Sequence, residues 1–559
     1  MSGLFILVAA LLIVRLYFIQ LVHGEDYSRQ AMGQYVNQGP DTIYRHDIFF
    51  TQKDGSLVAA AVTQTGWRVA LKPGDIVDAE RTYAVLNAAT PIDRARYDAA
   101  LAKKDDPYEE IAFHVSDSAM TKINAAKLPG VIPVQDQWRM YPAGELAGHV
   151  IGFVGYQGNA RVGVYGLERS WQDTLAETVS GTAVNPFAEI FANVQSALSF
   201  DPAAHTGNII TSIEPSVQRE LEETLDGVMK TYTPKIAGGI IMDPHTGEIY
   251  AMGERPGFDP NTYNTIDNVS LFSNQLVEGD YEMGSIMKPL TMAAGIDTGA
   301  INPNTMYDDT GCIERSGKKI CNYDGKARGR VLMQEILSQS LNLGVTFIVD
   351  TMGHTIFGNY MHAYGLGEKT GVDVPSEAMG NIRAIDHGYD VDYASASFGQ
   401  GVAVTGVEMI RALAALANGG VLPRPHIVKA VQFESGITRE VSLEQGRRVL
   451  KPDSVDAVTT MLVRVYDNAL LKGAIKQEHY SIAAKTGTAQ IAIPGGGGYY
   501  TDRYLHSFFG YFPAHDPKFI IFLFAVEPHG VEYASASLAH PFDSLARYLI
   551  NYYAIPPDR

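Results

Sequence analysis

Three short motifs stand in order along the 559-residue chain: Ser285-Ile-Met-Lys288, Ser340-Leu-Asn342 and Lys485-Thr-Gly-Thr488. If they act together, the fold must bring a helix start, a turn and a strand to one point. Each is weak alone, because a stray Ser-x-x-Lys is expected on the order of once or twice in a chain this long. Ser316-Gly-Lys-Lys319 is such a decoy. Context favours Ser285. Gly284 supplies a break, and Ile286, Met287, Leu290, Met292, Ala293, Ala294 and Ile296 predict a buried helix that stops near Gly299. Pro289 fits only the first turn, where backbone donors lack intrahelical partners. Lys288 then projects from the same face as Ser285. The ordinary alternative, an N-cap serine beside a solvated lysine, would suffice if the other motifs were absent.

The chemistry follows from residue type. Burial, the positive end of a helix and a second cation all disfavour a charged Lys288, which could then take the proton of Ser285 during attack. Val331 to Leu337 predicts a helix, broken by Ser338-Gln-Ser-Leu-Asn-Leu-Gly344. Ser340 and Asn342, two apart, point the same way from a looped segment. The hydroxyl can pass a proton to a leaving amine, and the amide can hold substrate backbone while contacting Lys288. Ser481 to Ile493 predicts a strand, and Gly487 within it marks close approach of another backbone, here expected to be a peptide lying antiparallel along the edge. Lys485, expected to be cationic, and the hydroxyls of Thr486 and Thr488 suit a terminal carboxylate. The N–H groups of Ser285 and Thr488 are candidates for an oxyanion hole.

The chain resembles a class B penicillin-binding protein, a monofunctional peptidoglycan D,D-transpeptidase. The three motifs are those of penicillin-binding proteins and β-lactamases, and the likeness extends over nearly the whole length. The family pattern Glu-Pro-Gly-Ser reads Glu282-Met283-Gly284-Ser285 here; Asp243-Pro-His-Thr-Gly-Glu-Ile249 and Phe258-Asp-Pro-Asn261 resemble the first hairpin and the segment after it. Ser397-Phe-Gly-Gln-Gly401 and Leu416-Ala-Asn-Gly-Gly420 resemble the stretch between the second and third motifs. His149 to Gly155 and Gly166-Leu-Glu168 resemble the non-catalytic domain. The usual Arg-Gly-x-Ile reads Arg45-His46-Asp47-Ile48, a departure expected to affect only the local turn.

The resemblance implies an α+β transpeptidase domain over 207–559, of the penicillin-binding and serine β-lactamase type, with an antiparallel sheet flanked by helices. A mixed α+β pedestal or dimerisation-like domain would fill 23–200, and a membrane anchor 1–22. Strands at both ends of the later region with helices between them agree with that sheet. It also implies acyl transfer through Ser285, with Lys288, Ser340 and Asn342 catalytic and Lys485, Thr486, Gly487 and Thr488 binding substrate or β-lactam. Expected partners are stem peptides ending in D-Ala-D-Ala, β-lactams, the membrane, a membrane-embedded glycosyltransferase and division or elongation proteins. The rival activities are a D,D-carboxypeptidase, a β-lactamase and a non-enzymatic scaffold or sensor.

Composition sets the remaining bounds. A net charge of −18 without a basic stripe argues against nucleic acid. No cofactor is implied, and the cysteine and histidine spacings are not those of a metal site. Cys312 and Cys321 flank a hairpin-like segment turning at Ser316-Gly317, and a disulfide is expected there outside the cytoplasm. Gly495 to Gly498 reads as a hairpin tip. His149, His506 and His540 have no paired acid in sequence context and are read as structural. Leu4 to Val14 and Leu16 to Val22 are apolar, with Arg15 between them. A shortened anchor, an anchor with a snorkelling Arg15 and a cleaved signal peptide all fit, and the resemblance favours an anchor with the rest of the chain outside the cytoplasm.

Overall fold

The structure, a computed structural model, describes residues 45–157, 160–176, 206–433, 436–442 and 446–559. The predicted anchor at 1–22 lies outside these. Among the described residues no helix is long and apolar enough to cross a membrane.

The first lobe is built on one long strand. β1 (Ile48–Thr51) pairs antiparallel with the start of β2 (Leu57–Leu71), whose second half lies between β3 (Glu109–Val115) and β4 (Val131–Met140). Three short helices, α1 (Ala79–Ala89), α2 (Arg94–Ala102) and α3 (Asp117–Ala125), are started by Asp78, Asp93 and Ser116, whose side chains accept from backbone N–H groups of the first turn. They pack Leu86, Tyr97, Met120 and Ile123 on Val69, Leu71 and Ile111.

The second lobe follows as β5 (Gly207–Thr211), α4 (Pro215–Tyr232), the hairpin β6 (Ile236–Met242) and β7 (Ile249–Arg255), α5 (Lys288–Asp297), α6 (Asn342–Met352), β8 (Val428–Phe433), α7 (Pro452–Arg464), β9 (Ala483–Ala492), β10 (Tyr499–Phe512), β11 (Phe519–Val526) and α8 (Ala539–Tyr552). Five of its strands form an antiparallel sheet in the order β9-β10-β11-β6-β7. β11 is apolar and buried on both faces because helices cover both. Val217, Leu221 and Leu225 of α4 join Phe542, Leu545 and Leu549 of α8 on one side. Leu290, Val345 and Leu462 of α5, α6 and α7 lie on the other with Phe509 and Phe522. Gly239 of β6 permits the close fit, since a Cβ there would stand 2.7 Å from Leu523 Cδ2 and 2.9 Å from Leu221 Cδ1. β9, which carries the third motif, is the edge strand.

The two lobes share a sheet. β5 runs parallel beside β1, and β8, which follows the second motif in sequence, pairs with β5. On the first lobe's side of this seam, a buried ion cluster ties together segments that all precede β5. Arg45 and Arg139 both engage Glu168, Arg139 at 2.7 Å, and although burial alone would raise the Glu168 carboxyl, the two guanidinium groups hold it below its ordinary value. Arg45, which keeps the arginine of the Arg-Gly-x-Ile pattern, is thus part of a buried ion cluster.

Other expectations shift by short distances. The helix predicted from Val331 starts at Met333, because Val331 and Leu332 are drawn into a strand opposite Tyr307 and Met306. Cys312 and Cys321 are bridged across their hairpin, which turns at Ser316-Gly317 and puts the decoy Ser316 at an exposed tip. Gly495 to Gly498 form the β9–β10 tip, all four at positive φ.

Candidate active site

Gly284, at φ +65, turns the chain into a 3-10 segment, Gly284–Met287, that leads into α5. Ser285 sits on that turn and caps nothing; the α-helix begins at Lys288 with Pro289 next. The turn is pinned from three sides. Gly284 N–H donates to the Gly399 carbonyl at 3.1 Å, Ser507 Oγ donates to the Met283 carbonyl at 2.7 Å, and a Cβ on Gly284 would lie 3.1 Å from the backbone of Thr488. That last contact brings the backbones next to Ser285 and Thr488 together, as an oxyanion hole would need.

Gly487 does give room for another backbone, but not for a substrate peptide. A Cβ there would stand 2.2 Å from Ser507 Oγ and 2.6 Å from the Met283 carbonyl. The close neighbour is the nucleophile turn itself.

Ser340 is the hub. It holds φ +56, which costs a non-glycine residue energy and is tolerated where surrounding contacts fix it. Lys288 Nζ donates to its carbonyl at 2.6 Å and lies 3.2 Å from its Oγ; Lys485 Nζ lies 3.1 Å from the same Oγ and 2.9 Å from the Thr486 carbonyl. Both lysines are buried. Burial, then the neighbouring Lys485, pushes Lys288 well below its ordinary range, and burial alone holds Lys485 down to about 7. Lys485 is thus a cation only part of the time near neutral pH, and an arriving carboxylate would favour its charged form. Lys288 makes no hydrogen bond to Ser285 in this arrangement.

Asn342 opens α6, lines the cleft and donates from Nδ2 to the Cys321 carbonyl at 2.9 Å, so the expected contact with Lys288 is replaced by one to the disulfide hairpin. Thr488 Oγ1 accepts from Ala534 N–H at 3.0 Å. Ser285, Ser340, Asn342, Lys485, Thr486 and Thr488 line one cleft of about 530 Å³. Lys288 and Gly487 lie behind its wall. Sequence reasoning missed the far side of the cleft, including Tyr323, Tyr504, Glu532 and Tyr533. No spacing signal exists for them, since Tyr504 lies on β10 and the other three outside the strands and helices, and only the folded sheet brings them to the cleft. Among the described residues no cluster of His, Cys, Asp and Glu suited to a metal is present.

The histidines divide. His149 has an acid partner in space, Glu254, 3.2 Å away. Burial pushes the imidazole down to about 4 and the carboxyl up to about 8, so near neutral pH the pair is a neutral contact rather than an ion pair. His506 is held between Ser537 Oγ at 2.7 Å and the Glu532 carbonyl at 3.1 Å, and burial keeps it neutral. His540 is exposed.

Residues 237–546 match the family model described as the penicillin binding protein transpeptidase domain. The chain belongs to that family. Residues 51–188 match a second model, the penicillin-binding protein dimerisation domain. Among curated relatives, Stage V sporulation protein D of Bacillus subtilis is 26% identical over 96% of this chain and 82% of its own length. Peptidoglycan D,D-transpeptidase FtsI of Escherichia coli is 25% identical over 80% and 73%. Penicillin Binding Protein 2X of Streptococcus thermophilus superposes with a TM-score of 0.74 at 22% identity, covering 92% of this chain and 80% of that one. Penicillin binding protein 3 of Mycobacterium tuberculosis complexed with aztreonam gives 0.70 at 22%, covering 93% and 98%.

Proposed function

We propose that the protein is a serine-type peptidoglycan D,D-transpeptidase, inhibited by β-lactams through acylation of Ser285. The observation that carries the site assignment is the single hydroxyl, Ser340 Oγ, standing between the nitrogens of Lys288 and Lys485 in the cleft that Ser285 lines.

Ser285 Oγ attacks the carbonyl of the penultimate D-Ala. Lys288, neutral because it is buried beside another amine, accepts the proton. Ser340 relays it to the departing nitrogen as the C–N bond breaks and terminal D-Ala leaves. Lys485 with Thr486 and Thr488 receives the donor's terminal carboxylate, and Gly487 keeps β9 against the nucleophile turn. The N–H groups of Ser285 and Thr488 face the developing oxyanion, a contribution typically worth about 3–4 kcal/mol per donor. Asn342, steadied by Cys321, presents its amide to the donor backbone. The amine of a second stem then takes the acyl group.

The catalytic lobe would work outside the cytoplasm on an anchor formed by 1–22, beside a membrane-embedded glycosyltransferase and division or elongation proteins. The Cys312–Cys321 bridge supports an oxidising compartment.

Fluorescent penicillin should label the wild-type chain covalently and leave Ser285→Ala unlabelled. Lys288→Ala should slow labelling by about 10²- to 10⁴-fold. Labelling that survives Ser285→Ala would overturn the assignment.

A further inference from the structure

A transpeptidase needs room for two peptides, and the cleft around Ser285 accounts for one. Past Tyr323 it continues into a second cavity of about 460 Å³ that shares Tyr323, Ser338, Gln339 and Ala469 with it. Ser338 and Gln339 are the two residues before Ser340, so the wall this cavity shares with the cleft runs up to the residue that stands between the two lysines. The donor's terminal D-Ala has left Lys485 by the time an acceptor arrives, and the shared wall at Ser338 and Gln339 joins this cavity to the cleft in which the acyl-serine then stands.

The walls of this second cavity are unevenly satisfied. Glu335 Oε2 accepts from Gln339 Nε2 at 2.7 Å, and Gln339 Oε1 accepts from Arg328 Nε at 3.1 Å, so these groups are engaged. Gln334 donates from Nε2 to Ser338 Oγ at 3.0 Å and to the Met461 carbonyl at 3.1 Å, but its Oε1 is buried with no donor. Arg464 is exposed at the cavity wall, with no ion-pair or hydrogen-bond partner for its guanidinium among the described residues. The backbone here is unusual as well. α7 ends at Arg464 and passes into a π-helical turn, Val465–Ala469, then through Leu471 and Lys472 at φ +47 and +58. π-turns and left-handed non-glycine residues are frequent at functional sites, where surrounding contacts hold them. This turn is the ridge between the two cavities.

We propose that the second cavity binds the acceptor stem peptide, with Arg464 taking a carboxylate of that peptide and Gln334 Oε1 accepting one of its backbone N–H groups. The proposal rests on the transpeptidase reading. The acceptor's amine nitrogen attacks the carbonyl carbon of the Ser285 ester, a C–N bond forms, the C–Oγ bond breaks, and the proton lost by the amine returns to Ser285 Oγ through Ser340 or Lys288. No oxidant, reductant or further reactant is required.

The test uses the full chain, a D-Ala-D-Ala donor thioester, and as acceptor a synthetic stem peptide bearing a side-chain amine, offered with a free C-terminal carboxylate or as the C-terminal amide. In the wild-type chain the amide should need an acceptor concentration about tenfold higher for half-saturation, the size of one charge-assisted hydrogen bond. Arg464→Met should raise the value for the free acid by about the same factor, add nothing further for the amide, and divert acyl-enzyme to water, while penicillin labelling of Ser285 stays within about twofold. Gln334→Met should raise it for both acceptors. Equal half-saturation for acid and amide, no change in Arg464→Met, or a parallel fall in labelling and acceptor use would each overturn the proposal. A wild-type chain that acquires no label would instead overturn the transpeptidase reading beneath it.

Discussion

Two buried lysines share one hydroxyl, and that arrangement sets the pH behaviour of the centre. Lys485 titrates at about 7 when folded and at 10.5 ordinarily, so between those values the unfolded chain holds the extra proton. Stability must then rise as pH climbs from about 7 towards 10, and lose that gain as pH falls. Melting curves should show this slope in the wild-type chain and a flatter one in Lys485→Met. Lys485→Ala should slow acylation by carboxylate-bearing penicillins by the equivalent of about 1.5–3 kcal/mol, more than Thr488→Ala, which keeps its N–H. Residue identities at the centre were legible because motif chemistry is local: which serine, which lysine, which strand. Reasons that depend on distant partners were not. Gly487 could be read as a sign of close approach, but besides Ser507, opposite it on β10, it meets the Met283 carbonyl, which comes from a segment remote in sequence. Asn342 gave no hint that its amide would turn to Cys321.

Between residues and fold stand the small elements that hold the motifs in register. The disulfide hairpin is one. Cys321 accepts from Asn342 Nδ2, and the next residue, Asn322, accepts from Leu343 N–H through Oδ1 at 3.2 Å, so the hairpin grips the start of α6 at two points. Cys312→Ser with Cys321→Ser should lower the melting temperature by an amount equivalent to about 2–3 kcal/mol. Calorimetry of the double variant against wild type checks it. The β9–β10 hairpin is another. Tyr499, just past the glycine tip, donates to Glu282 Oε1 at 3.1 Å, three residues before the nucleophile. Burial raises the Glu282 carboxyl, and its other oxygen is buried without a partner. Tyr499→Phe should leave Glu282 still less satisfied and reduce the penicillin acylation rate by several-fold to about tenfold while changing the melting temperature little; stopped-flow labelling reads the first and thermal denaturation the second. Local patterning announced both hairpins, because Gly-rich turns and flanking strands are short-range signals. What each hairpin touches is a long-range fact.

For the whole molecule, what counts is how the first lobe is held together and how it joins the second. Glu168 bridges Arg45 and Arg139 out of water, and Glu168→Ala would leave Arg45 without its ion pair and Arg139 with only Asp47, at 3.8 Å. That change should cost about 3–5 kcal/mol, measurable as a fall in the denaturant midpoint. The sequence showed two regions of different character, and the α+β sheet flanked by helices was readable from its strand pattern. It did not show that β8 adds to β5 on the side away from β1, since Asn208 and Gln432, which meet across that pair, are 224 residues apart. Consider that pairing from the standpoint of a chain emerging one end first. The ribosome completes β1 and β5 long before it reaches Phe433, so the shared sheet stays without β8 on its β5 side until most of the enzyme has been made. A chain stalled before β8 would expose an open edge of sheet to its neighbours, and the cell's exposure to that hazard is set by translation and export rather than by anything the finished protein does.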